Sequence, residues 1–278
     1  VDTIYQEAPT RTIDVAGTTF AYRQLGSDDG VPVVLLHHWG AVLDDWDPRV
    51  VDGIAVRHRV LAFDNRGIGA SGGTTANSVA AMARDAVEFI RTLGLEQVDL
   101  VGFSLGGFVA QVIAQEQPRL VRRIVLAGTG PAGGEGIDKV GPVSLREIIR
   151  AVVRFKHPKH YLFFTRTENG RRAAREFLAR LKERTRDRDK SISPIAMLVQ
   201  LKAIHAWGRQ EPVDLSSIRQ PVLVANGEDD LMVPTNNSID LARRLPNAEL
   251  VLYPDAGHGG IFQYHDQFVD QVLTFLES

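Results

Sequence analysis

The sequence contains no cysteine, which excludes disulfide bonds, thiolate metal sites and a cysteine nucleophile and leaves the redox compartment unmarked. It has no apolar run long enough to span a bilayer, and no basic flank followed by an apolar stretch near its N-terminus. Cytoplasmic placement is therefore expected. A surplus of one charge is also missing. Lysine and arginine number 32 against 34 acidic residues, a formal net charge of −2, so nothing at whole-chain level favours nucleic acid or an anionic membrane as partner. Gly-Lys-Ser/Thr does not occur, which excludes a phosphate loop, and there are no internal repeats or low-complexity segments. A small-molecule substrate is the expected partner, and the sequence leaves the oligomeric state open.

What is present is organised around residues 98–111. Leu100, Val101 and Phe103 form a short apolar run that stops at Ser104, and Phe108, Val109, Val112 and Ile113 recur at helical spacing after two glycines. The pattern is strand, abrupt turn, helix. The turn Gly102-Phe103-Ser104-Leu105-Gly106 is a G-x-S-x-G, with glycines two before and two after the serine that let the strand and helix backbones pass close together. Such an elbow holds a serine in a strained conformation with its hydroxyl outward and sets the next N–H at a helix N-terminus, where partial positive charge accumulates.

The remaining chain supplies a frame for that turn. Residues 11–15 and 19–23 alternate around Gly17 as a hairpin, and residues 31–36 and 60–63 read as strands buried on both faces. Helices are predicted over 47–56 and 79–93, and another strand over 121–127. Alternation of this kind implies an α/β fold, a mainly parallel doubly wound sheet with helices on both faces. The regularity breaks after Gly128 and resumes at Pro221, and the intervening stretch is helical and heavily charged. Residues 131–212 are read as a helical cap inserted into a core of residues 1–130 and 213–278. Phe155, Tyr161, Phe163, Phe164, Met197, Leu201, Ile204 and Trp207 are candidates to face a site beneath the cap, most of them being expected instead in the cap's own core, and Trp207 is taken as a substrate-binding residue. Strands at 222–225 and 249–253 and helices at 237–245 and 261–276 close the chain.

A serine hydroxyl is a poor nucleophile at neutral pH. It needs an imidazole to take its proton and a carboxylate to hold that imidazole in the right tautomer. His258 follows one predicted strand in Ala256-Gly257-His258-Gly259-Gly260, and Asp229 and Asp230 follow another. All lie past C-terminal strand ends, where ligands bind in open α/β sheets. The order Ser104, Asp230, His258 is the one the α/β-hydrolase arrangement requires.

At these residues the chain resembles the α/β-hydrolase superfamily. The superfamily's Asp-x-Arg-Gly-x-Gly-x-Ser stands here as Asp64 to Ser71, its Gly-x-x-Asp-x-x-x-Pro as Gly227 to Pro234, and its Gly-His as Gly257-His258; that spacing selects Asp230 over Asp229. By resemblance the N–H groups of Leu105 and Trp39 would form the oxyanion hole. One departure touches that pair, since His38 stands where the family has glycine. Its side chain is expected either to meet substrate or to turn away onto a nearby backbone carbonyl. The segment from Leu35 to Gly40 and the elbow look most like enol-lactonases and cofactor-free perhydrolase or haloperoxidase-like esterases. The resemblance implies a serine hydrolase acting on a small ester or lactone with no cofactor and no metal. A carbon–carbon bond hydrolase with the same triad, or a ligand receptor on this fold, stands as the alternative.

Other features receive plainer readings. Gly128 to Gly133 matches G-x-G-x-x-G but opens no helix at its third glycine, so it reads as a hinge. His37 with His38, and His157 with His160, lack a third metal ligand at suitable spacing. Arg66 and Ser71 read as loop-fixing, and the basic stripe between Arg171 and Lys190 as a solvated helix face.

Overall fold

The computed structural model describes residues 4–278; Val1 to Thr3, part of the N-terminal stretch read above, lie outside the described residues. Eight strands, β1 (Arg11–Val15), β2 (Thr18–Leu25), β3 (Val33–Leu36), β4 (Val60–Phe63), β5 (Val98–Phe103), β6 (Val121–Ala127), β7 (Val222–Gly227) and β8 (Ala248–Tyr253), form one sheet in the order β1-β2-β4-β3-β5-β6-β7-β8. β2 runs antiparallel to both β1 and β4, and the other pairings are parallel. The β1–β2 hairpin turns through Ala16 and Gly17, both at positive φ, the twist that a two-residue hairpin requires.

Among the described residues ten α-helices accompany the sheet: α1 (Pro48–Ala55), α2 (Val79–Thr92), α3 (Leu105–Glu116), α4 (Val140–Val153), α5 (Lys159–Leu162), α6 (Glu168–Arg180), α7 (Pro194–Gly208), α8 (Asn236–Arg244), α9 (Gly260–Gln263) and α10 (His265–Glu277). Their starts are set by local chemistry. Asp47, Ser78, Thr167 and Ser193 cap α1, α2, α6 and α7, each accepting a backbone N–H two or three residues on, which satisfies an otherwise orphaned donor. Side-chain alternation sends successive strand residues to opposite faces. Val34, Leu36 and Leu100 join α2 and α3 in one core, and Val33, Leu35, Val101 and Phe103 join α1 and α10 in the other.

The helix predicted over 261–276 is divided. α9 and α10 are separated by Tyr264, whose ring stacks on Tyr253 at 5.2 Å and whose hydroxyl donates to the Pro254 carbonyl at 2.8 Å. Tertiary contacts thus override a continuous helical pattern. α4 to α7 lie between β6 and β7. The basic stripe is more than a solvated face. Arg180 binds the buried Asp47 carboxylate with Nε at 3.0 Å and Nη2 at 2.6 Å. Arg184 donates to the carbonyls of Gln6 and Ala8 at 2.9 and 3.0 Å. These long-range bonds fasten the inserted helices to the sheet domain. No helix among the described residues is long and apolar enough to cross a membrane.

Candidate active site

Ser104 joins β5 to α3 with φ 55° and ψ −115°, a region that costs about 1–3 kcal/mol for a non-glycine residue. The surroundings enforce it. The Ser104 N–H donates to the Ala127 carbonyl at 2.9 Å, and the Ser104 carbonyl accepts from Gly107 N–H at 2.9 Å and Thr129 Oγ1 at 2.8 Å. A Cβ on Gly106 would lie 2.0 Å from the Leu36 carbonyl oxygen, and one on Gly102 would lie 2.5 Å from the Gly106 carbonyl oxygen. Only glycine permits either approach.

His258 follows β8 and is buried. Its Nδ1 lies 2.7 Å from Asp230 Oδ2, while Asp230 Oδ1 accepts the N–H groups of Met232 and Val233 at 2.8 and 3.0 Å. Asp229, next in the chain, is exposed. The carboxylate is thus fixed on one oxygen and presents the other to the imidazole. Phe103 and Phe163 flank the ring at 5.0 and 5.5 Å, and Gly259 N–H donates to the Phe163 carbonyl at 2.7 Å. Ser104 and His258 both line a cavity of about 400 Å³, with His38, Trp39, Ile148, Leu162, Phe163, Ile192, Met197 and Met232 among its walls.

Leu105 is the first residue of α3, so its N–H has no acceptor within the helix. Trp39 also lines the cavity, and two bonds to α7 hold its loop: Trp39 Nε1 donates to the Met197 carbonyl at 2.8 Å, and Gly40 N–H donates to Gln200 Oε1 at 3.0 Å. His38 turns its Nδ1 to the Trp39 carbonyl at 2.8 Å and packs edge-on against Phe103 and Phe163. Of the two orientations open in the sequence, this carbonyl contact is the one the ring adopts, although the residue still borders the cavity. Burial pushes its pKa well below the ordinary histidine value, with the Lys159 ammonium acting in the same direction. The ring is therefore neutral. With Nδ1–H as donor to a carbonyl, Nε2 carries the lone pair.

Trp207 is not brought to the cavity. Its ring stacks on Phe108 at 5.3 Å and its Nε1 donates to the Gly130 carbonyl at 3.4 Å, which makes it part of the packing beneath α7. Of the other candidates from the inserted segment, Phe163 and Met197 reach the cavity and Phe155 stands in solvent. Two charged features were not anticipated. Asp45 and Lys159 form an ion pair in the cavity wall. Burial alone would raise the Asp45 pKa, but the Lys159 ammonium holds it down at about 2. Asp189, also in the cavity wall, meets the buried Asp64 carboxyl group, both accepting from Leu43 N–H. Burial and the neighbouring Asp189 carboxylate push the Asp64 pKa far above the usual carboxylate range, so a proton stays between them. Gln200 was also missed; a lone glutamine inside the apolar run from Ile195 to Leu201 was the available signal. Among the described residues no cluster of three or more His, Asp or Glu is arranged to hold a metal ion.

Elbow, sheet order and strand-end loops define an α/β hydrolase, and comparison with known proteins agrees. Residues 31–263 match the family described as alpha/beta hydrolase fold, and the chain belongs to that family. A solved structure, an alpha/beta hydrolase fold protein from Chitinophaga pinensis, superposes with a TM-score of 0.95 at 40% identity, covering 99% of this chain and 100% of that one. The chain is 28% identical over 268 residues to a putative carbamate hydrolase, RutD, of Rhizobium rhizogenes, spanning 93% of this chain and 97% of the relative. It is 29% identical over 278 residues to a non-heme haloperoxidase of Rhodococcus erythropolis, spanning 94% and 97%.

Proposed function

We propose that the protein is a serine hydrolase that cleaves a small carboxylic ester or lactone through an acyl-enzyme. The observation that carries this reading is the 2.7 Å contact between His258 Nδ1 and Asp230 Oδ2 beside a cavity that Ser104 also lines. With Nδ1–H held by the carboxylate, His258 Nε2 is left as the base. Ser104 Oγ gives its proton to Nε2 as it attacks the acyl carbon, and the imidazolium returns that proton to the leaving alkoxide. Water then repeats the cycle and frees the acid. The N–H of Leu105 at the start of α3, with that of Trp39, receives the oxyanion, a contribution of about 3–4 kcal/mol per donor in comparable sites. A cavity of about 400 Å³ suits a small substrate.

The test is turnover on a panel of short-chain aryl esters, lactones, ring-cleavage diketones and small carbamates, with peroxide plus bromide as a further condition. The carbamates answer the name of the Rhizobium relative. An active-site-directed fluorophosphonate should label the wild type and fail on Ser104→Ala. Labelling that survives the substitution, or one slow event per molecule with every substrate, refutes the reading.

A further inference from the structure

The inserted helices carry an outward face that the fold leaves unsatisfied. On α4, Leu145, Ile149, Val152 and Val153 recur at helical spacing and all point to solvent, Val153 being 70% exposed. Soluble helices ordinarily bury that stripe. Ile195 and Leu198 on α7, which packs against α4, are exposed as well. Phe155 follows α4 and is 97% exposed at φ +53°. Its N–H donates to Val152 and the Lys156 N–H to Ala151, the C-terminal motif whose left-handed residue is usually glycine. Phenylalanine there is costly to the backbone and to solvation at once. Neither cost is offset by a contact among the described residues.

The charge around this face is equally one-sided. Residues 131–212 contain 18 basic and 9 acidic residues, a net +9, whereas the rest of the chain contains 14 and 25, a net −11. The balanced total conceals the separation. Arg146, Arg150, Arg154 and Lys156 interleave with the apolar stripe. Glu147 is the one carboxylate among them, and Arg146, Arg150 and Arg166 converge on it, leaving a positive excess. We propose that this face of α4, with the first turn of α7, docks on an anionic lipid surface. Exposed apolar side chains interspersed with arginine and lysine fit the boundary between acyl chains and anionic headgroups. A second copy of the chain is the poorer occupant, because face-to-face pairing would bring two net-positive segments together. Docking would place the membrane beside the cavity, since Ile148 on the same helix, with Ile192 and Met197, lines its wall.

The test is co-sedimentation of the full chain with sucrose-loaded vesicles, and it does not depend on the hydrolase reading because binding is measured without turnover. Vesicles of phosphatidylcholine doped with phosphatidylglycerol should pellet the protein, pure phosphatidylcholine should not, and added salt should release it. Val152→Ser with Phe155→Asn, and separately Arg154→Glu with Lys156→Glu, should each weaken binding by about tenfold or more. Circular dichroism and melting would show both pairs folded, and if one pair failed to fold, the other and the salt titration would decide. Equal pelleting with both lipids, none with either, or wild-type binding by every folded variant overturns the proposal. So does a concentration-dependent dimer that the same substitutions dissociate.

Discussion

Replacing Asp230 by asparagine tests the proposed mechanism at one atom. In the wild type, Oδ1 accepts two backbone N–H groups and Oδ2 faces His258 Nδ1. An asparagine has one oxygen for these two tasks. With that oxygen kept on Met232 and Val233, its NH2 group faces Nδ1 and donates to it. His258 then carries its proton on Nε2 and cannot accept one from Ser104. Turning the amide over restores the tautomer but sets NH2 against two N–H donors. Each buried donor left unpaired costs about 1–3 kcal/mol, so the productive orientation is disfavoured by about 2–6 kcal/mol. That corresponds to roughly 30-fold to 2 × 10⁴-fold in population, and losing the carboxylate charge that stabilises the imidazolium adds to it. Turnover of Asp230→Asn on the best ester should fall about 10⁴-fold, with KM little changed. Asp229→Asn, at an exposed carboxylate, should cost far less. A loss under tenfold for Asp230→Asn, or the reverse ranking of the two variants, would refute the assignment of base and orienting group.

Three further outcomes are expected. His38→Ala should lower stability by about 2 kcal/mol, through lost packing on Phe103 and Phe163 and a lost bond to the Trp39 carbonyl, with kcat/KM changed by less than about tenfold; thermal melting and kinetics check the order of the two effects. Gln200→Leu leaves the Gly40 N–H without its acceptor and frees the loop that carries Trp39, so kcat should fall about tenfold or more while KM stays close to wild type; an unchanged kcat would separate α7 from oxyanion binding. Because the folded state raises the Asp64 pKa, it keeps a proton that the unfolded chain releases, and stability falls as pH climbs above the ordinary carboxylate range. Asp189→Asn removes the second carboxylate, so its melting temperature should decline less steeply toward alkaline pH; identical slopes would mean that Asp64 and Asp189 share no proton.

Strands and strand-end loops were legible because their signals are local. The apolar runs at 31–36, 121–127 and 222–225 mark buried strands, and parallel pairing then carries Ser104, Asp230 and His258 to the carboxyl ends of the strands. The attachment of the inserted helices was not legible. Arg184 meets residues near the N-terminus, Gln200 meets Gly40, and Asp189 meets Asp64, all across more than a hundred positions. Spacing within a segment says nothing about such pairs. Trp207 was misplaced for a related reason: α7 is apolar on nearly every side, so periodicity could not tell the face toward the cavity from the face toward Phe108.

The interlocked glycines of the elbow also set how the protein can change. A side chain at Gly106 would strike the Leu36 carbonyl and one at Gly102 the turn itself, so random mutagenesis of this frame returns unfolded chains in place of altered enzymes. The walls contributed by Ile148, Ile192 and Met197 come from the inserted segment between β6 and β7, outside the sheet, and carry no such restriction. Drift in substrate preference is therefore channelled into the inserted segment, and a combinatorial library confined to those three positions would sample new pockets around an unaltered serine.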